Sequence, residues 1–217
     1  MADAHFPFAL DRATDLTGTR LEEPLRRICI ALDALHLAQI VKDSNGATLP
    51  PFSPDSYIKF NASIPNLMIV LPGFSALFCA LEDRELSPLS IKFESKMAFP
   101  SVPGRSMSKV AHFYHDTIAS QFVMFFEQHY AKAKMACNSN YENMENTWKF
   151  ARRVRDAITH GDRFNINDKK FKSVFWRGYE IGRDKHGISL SSEIRGGDLI
   201  VLMFDMEHAV ASNFKID

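Results

Sequence analysis

Residues 151–161 read Ala-Arg-Arg-Val-Arg-Asp-Ala-Ile-Thr-His-Gly, and the rest of the chain is read outward from them. With Met144 and Trp148 upstream, Ala151, Val154 and Ile158 recur at three- and four-residue spacing, which predicts an amphipathic helix over 141–160. Asn138-Ser139-Asn140 provides a break and an N-cap cluster before it. Gly161 stands where a C′ glycine closes a helix.

Arg155 follows Trp148 by seven residues, about 20° around an ideal helix, so its guanidinium falls on the apolar stripe. An unpaired buried charge is costly, so Arg155 must meet a carboxylate, line a cleft or lie at a subunit interface. The surroundings are basic. Lys149, Arg152, Arg153, Arg155, Arg163, Lys169, Lys170 and Lys172 stand against Asp156, Asp162 and Asp168, a local excess of five in a chain whose 26 basic and 26 acidic residues cancel. Phosphate is a natural partner for such a patch. His160 lies four residues after Asp156, a spacing at which the carboxylate accepts the imidazole N–H and sets its tautomer. Arg155 is about 140° from His160 on an ideal helix. The two converge on one phosphate if the last turn unwinds at Gly161, or if a second copy of the helix in a twofold dimer supplies the complementary group.

Toward the N-terminus, Leu21, Leu25, Ile28, Leu32, Leu35 and Val41 predict a helix over 20–41, ended by Asn45-Gly46. Prolines make 47–63 a surface connector. A second helix is expected over 65–82, kinked or broken at Pro72. Residues 87–104, with Pro88, Pro100 and Pro103 around Ile91-Lys92-Phe93, read as a second long loop. A helix over 106–136 carries Val110, Phe113, Ile118, Phe122, Phe125 and Phe126 as a core face. Past the central motif, Phe175, Trp176, Tyr179 and Ile181, then Arg183-Asp184-Lys185-His186-Gly187, then Ile188 and Leu190, read as a β-hairpin. Asp198 caps a final helix striped by Leu199, Leu202, Met203, Met206 and Val210. The expected fold is mainly α: one domain over 1–217, a bundle of about five helices with a small β-hairpin near the C-terminus and proline-rich loops at about 47–63 and 87–104.

Composition sets the outer limits. The 217 residues are 46% hydrophobic and 24% charged, which fits a globular chain and excludes disordered, collagenous and fibrous classes. Cys29, Cys79 and Cys137 form no CxxC or Cys/His pattern, and with an N-terminus unlike a signal peptide they point to a reducing, cytoplasmic setting. The longest apolar run, Leu67 to Leu81, is too short to span a bilayer at ~20 residues and is expected to be a buried central helix, with no membrane partner.

Arg155-Asp156-Ala157-Ile158-Thr159-His160, an arginine followed by a polar residue and then a histidine near the end of the penultimate helix, resembles the signature of the HEPN superfamily. The resemblance covers the C-terminal third of the chain, including the hairpin and the last helix. It implies a metal-independent endoribonuclease, homodimeric, of the toxin or anti-phage defence type, acting on RNA and paired in some systems with an antitoxin protein. His160 would be the acid/base, Arg155 would bind the phosphate and its developing charge, and Asp156 would fill the polar position. Arg152, Arg153 and Arg163 would bind the RNA backbone. The chemistry is coherent with no cofactor, since an adjacent 2′-hydroxyl is an internal nucleophile. The alternative is a non-catalytic RNA- or nucleotide-binding or dimeric interaction module.

Other constellations carry less. His112, His115, Glu127 and His129 are not united by metal-ligand spacing, and no metal is assigned. Gly73-Phe74-Ser75-Ala76-Leu77 lacks the second glycine of a nucleophile elbow, and no Rossmann or P-loop pattern occurs. Trp176 and Tyr179 are expected to pack rather than stack on bases.

Overall fold

Four short segments with alternating or continuous apolar residues build a sheet that the helical reading did not contain. A computed structural model describes residues 12–43, 57–73, 89–95 and 109–213. Within them, β1 (Ala13–Asp15), β2 (Tyr57–Ala62), β3 (Leu67–Pro72) and β4 (Ser90–Ser95) form an antiparallel sheet in the order β1-β4-β3-β2. The chain is therefore mixed α and β, and the expectation of a mainly helical bundle with one hairpin is corrected.

The physical reason is local. In β2, Ile58, Phe60 and Ala62 alternate with the exposed Tyr57, Lys59 and Asn61, the period of two that puts one face on a core. In β4, buried Ile91 and Phe93 alternate with Ser90, Lys92 and Glu94 in the same way. Leu67, Ile69, Val70 and Leu71 of β3 are all buried. The strand is flanked by β2 and β4, with Ile69 opposite Phe60 on one side and Phe93 on the other. Asn66, at positive φ, turns the chain between β2 and β3. The helix expected over 65–82 is thus a strand through Pro72, and its remainder lies outside the described residues, as do Asn45-Gly46, most of both proline-rich loops and Cys79.

Among the described residues the helices are α1 (Glu22–Asp43), α2 (Lys109–Ala136), α3 (Asn146–Thr159), the short α4 (Leu190–Glu193) and α5 (Gly196–Asn213). The buried central helix is α5. Every residue from Leu199 to Phe204 is buried, and Phe204 meets Phe93 of the sheet edge-on with centroids 5.1 Å apart. Each such buried side chain stabilises the fold by about 1.5–3 kcal/mol before chain entropy is counted. Asp198, fully buried in the first turn of α5, accepts from the Arg195 N–H at 2.8 Å and the Ile64 N–H at 2.9 Å. One carboxylate thereby caps the helix and fastens it to the β2–β3 turn. Burial pushes its pKa up, against the lowering effect of those backbone bonds.

Helix α2 crosses α1, α3 and α5 and buries Ile118, Phe122, Phe125 and Phe126, whereas Phe113 is exposed and not part of its core face. The hairpin near the C-terminus consists of β5 (Val174–Trp176) and β6 (Tyr179–Ile181). It turns at Arg177-Gly178, both at positive φ as two-residue hairpin turns require. Residues 183–187 are not its turn: Arg183–Lys185 is a single 3-10 turn beyond β6. Arg177 Nε and Trp176 Nε1 both donate to Asp205 Oδ2, each at 2.7 Å, and Arg177 completes a fork to Oδ1 at 2.8 Å, which locks the hairpin to α5. Among the described residues no helix is long and apolar enough to cross a membrane.

Candidate active site

Helix α3 is shorter than its sequence pattern predicts, and what precedes it matters. Asn140 accepts from the Glu142 N–H at 3.0 Å and caps a 3-10 turn over Tyr141–Asn143, after which α3 begins at Asn146. Trp148, Phe150, Ala151, Val154 and Ala157 are buried. Lys149, Arg152, Arg153, Arg155, Asp156, Thr159 and His160 retain solvent exposure on the outward side.

Gly161 takes φ +80°, a conformation in which an L side chain is strained, and the helix stops there as expected. The Arg163 N–H returns to the Ala157 carbonyl at 3.3 Å. Asp162 then anchors the exit: its carboxylate accepts from Ser189 Oγ at 2.5 Å, Ser191 N at 3.0 Å and Ser191 Oγ at 2.7 Å. These bonds tie the end of α3 to the start of α4 and hold the platform that carries His160.

Arg155 finds the carboxylate that a stripe position demands. Its Nε donates to Glu127 Oε1 of α2 at 2.6 Å, a second nitrogen approaches the same oxygen, and its third donates to Asp156 Oδ1 at 3.0 Å. With its side chain 32% exposed it sits at the edge of the stripe, not within it. Partial burial disfavours the charge, but the bonds to Glu127 and Asp156 outweigh that and raise its pKa further above an already high value.

His160 differs from expectation in one contact. The Asp156 carboxylate does not receive the imidazole N–H; it is taken by Arg155, with Arg153 at 3.8 Å on its other oxygen. His160 Nδ1 lies 2.6 Å from the Asp156 main-chain carbonyl. A carbonyl only accepts, so Nδ1 carries the proton and, in the neutral ring, Nε2 keeps its lone pair. Nε2 has no hydrogen-bond partner among the described residues, and His160 is exposed. Asp156 therefore joins Arg155 and His160, through its side chain to one and its backbone to the other.

The three arginines expected to bind RNA are distributed around this centre. The Arg152 guanidinium lies 5.1 Å from the Tyr141 ring centroid and 5.9 Å from that of Tyr130, and donates to the Tyr130 hydroxyl at 3.3 Å. Arg153 lies over Phe171 at 4.8 Å. Arg163 donates to the Gly187 carbonyl at 2.7 Å beyond the helix end.

Sequence reasoning missed Glu127 as the partner of Arg155 and missed Tyr130 and Tyr141 altogether, because a contact across 28 residues leaves no local pattern. Two other histidines are buried: His115 Nε2 is 3.3 Å from the Ile194 carbonyl, and His129 packs against Phe125. No three His, Cys, Asp or Glu side chains converge into a metal-binding group among the described residues. Comparisons with known proteins found no matching family model, no matching curated protein and no matching solved structure.

Proposed function

We propose that the chain is a metal-independent endoribonuclease that cleaves RNA at the α3 C-terminus and works as a homodimer of the toxin or defence type. The observation that carries this reading is the division of Asp156: its carboxylate holds a guanidinium while its carbonyl fixes an exposed histidine as the Nδ1–H tautomer. In the reaction, His160 Nε2 takes the proton of a 2′-hydroxyl as that oxygen attacks the adjacent phosphorus. The P–O5′ bond breaks, and the 5′-oxygen receives from solvent the proton that His160 in turn returns to solvent, giving a 2′,3′-cyclic phosphate and a 5′-hydroxyl. Arg155 neutralises the charge that builds on the phosphoryl oxygens.

The dimer has its own support. Phe113, Met124 and Met135 of α2 are 49%, 49% and 64% exposed. They are eleven residues apart, within about 20° of three full turns, so they share one stripe. Glu127 stands one turn beyond Met124, which places the stripe beside Arg155. Burial of that stripe against a second copy brings two sites together. The reading rests on the site and on this stripe, not on an all-helical fold.

A second reading, a non-catalytic RNA-binding or interaction module, is favoured by the saturation of Arg155 by two carboxylates. The product ends discriminate. An oligoribonucleotide incubated with the protein in EDTA should yield 2′,3′-cyclic phosphate termini, and a 2′-O-methyl group at the cut site should stop cleavage. RNA that is bound but remains whole selects the second reading.

A further inference from the structure

Among the described residues the cations differ in what holds them. Arg27, Arg155, Lys172, Arg177 and Lys185 each meet a carboxylate. Lys149 and Arg152 form no ion pair with a carboxylate among the described residues, and both are nonetheless held in place. Lys149 Nζ donates to the Glu142 main-chain carbonyl at 2.6 Å and lies 5.8 Å from the Tyr141 ring centroid. Arg152 rests on Tyr141 and on Tyr130, whose ring stacks on Phe126 at 4.8 Å. Neutral carbonyls, phenols and ring faces orient a cation without cancelling its charge, so the pair remains attractive to an anion and loses little side-chain freedom on binding one.

Its position names the anion. Lys149 is eleven residues and Arg152 eight residues before His160 on the outward side of α3, about 16 and 12 Å at 1.5 Å per residue. That is the reach of a few nucleotides of a flexible strand. The planar guanidinium on an aromatic stack is also a surface on which an unpaired base can lie.

We propose that Lys149 and Arg152, mounted on Tyr141 and Tyr130, form a backbone-binding subsite for single-stranded RNA that runs along α3 toward His160. The inference rests on the RNA reading of the same helix but not on cleavage. Arg153 over Phe171 flanks the path between subsite and histidine.

The test measures binding of a labelled single-stranded oligoribonucleotide in EDTA to the His160→Ala protein, across a range of salt. The same protein also carrying Lys149→Gln and Arg152→Gln is compared with one carrying Arg12→Gln and Lys59→Gln, which remove two cations beside and on the sheet. The subsite variant should bind about tenfold or more weakly. Its salt slope should fall by about 1.4, at about 0.7 per lost contact to a single strand. The sheet variant should match its parent. Duplex RNA and a mononucleotide should compete poorly. Near-ultraviolet circular dichroism reports folding, and if the double change unfolds the protein, Lys149→Gln alone should lower the slope by about 0.7.

An unchanged slope and affinity, equal competition by duplex, or no RNA binding by the parent overturns the subsite. The outcomes separate the two claims. Subsite-dependent binding with no cleavage by wild type removes the nuclease and keeps the subsite; cleavage that is indifferent to Lys149 and Arg152 does the reverse.

Discussion

Glu127 of α2 accepts the Nε–H of Arg155 of α3 at 2.6 Å, so the arginine assigned to phosphate is held by a carboxylate in the free chain. A phosphodiester must displace Glu127 to receive the same fork. Glu127→Gln keeps the shape and removes the competing charge, and it should raise both RNA affinity and cleavage rate severalfold in initial-rate assays. Thermal stability should barely change, since exposed ion pairs contribute ~0–1 kcal/mol. A drop in rate in a folded variant would show that Glu127 positions Arg155 instead of restraining it.

The stripe of Phe113, Met124 and Met135, spaced eleven residues apart along α2, makes the assembly testable. Met124→Glu places a charge in the middle of the proposed dimer face. Sedimentation equilibrium should show a dimer for wild type and a monomer for the variant, with cleavage lost in parallel. A wild-type monomer with full activity would remove the dimeric groove.

Asp205 binds Arg177 and Trp176 together, and the side chains of the ion pair are only 13% and 11% exposed. Asp205→Ala removes the carboxylate that a nearly buried guanidinium and an indole N–H share, and breaking a buried pair of this kind typically costs about 3–5 kcal/mol. Urea unfolding should move to a correspondingly lower midpoint. A loss below about 1 kcal/mol would place the hairpin's attachment elsewhere.

His129 is 5% exposed, with neither ring nitrogen hydrogen-bonded among the described residues, and burial lowers its pKa, with smaller contributions from Arg20 and Lys132. The facing groups include the ring of Phe125, 4.7 Å away, and Arg20, which pairs with Glu207. With the folded pKa below the unfolded value of about 6.5, the unfolded chain binds more protons on the acid side. Stability from this residue is therefore present above that value and is lost as pH falls below it. His129→Phe should flatten the decline of melting temperature between about pH 6.5 and 5; an equal decline in the variant would assign it to other groups.

What the sequence disclosed depended on how local each signal was. The faces of α3 and α5 were legible, because Trp148, Ala151 and Val154 and Leu199, Leu202 and Met206 follow one period and each helix has its own stop or cap in Gly161 or Asp198. The sheet is hard to see in the sequence, although β2 and β4 alternate cleanly, because the prolines nearby speak for loops and Leu67–Leu81 reads as one apolar run across Pro72. Six residues ending at Pro72 make a strand, and continuous apolar character reflects its place between two others. At the candidate site, residue type and spacing single out Arg155 and His160. The Asp156 contacts were not, since a carbonyl and a carboxylate of one residue compete for the histidine and Arg155 decides the outcome.

The most direct measurement compares wild type and His160→Ala on total cellular RNA in EDTA. His160 is exposed and its imidazole contacts only main-chain and hydroxyl oxygens one turn or less away, so the variant should fold. Discrete cuts by wild type that vanish in His160→Ala are the predicted result. Equal cutting by both proteins, or none by either, would contradict an active site at the end of α3.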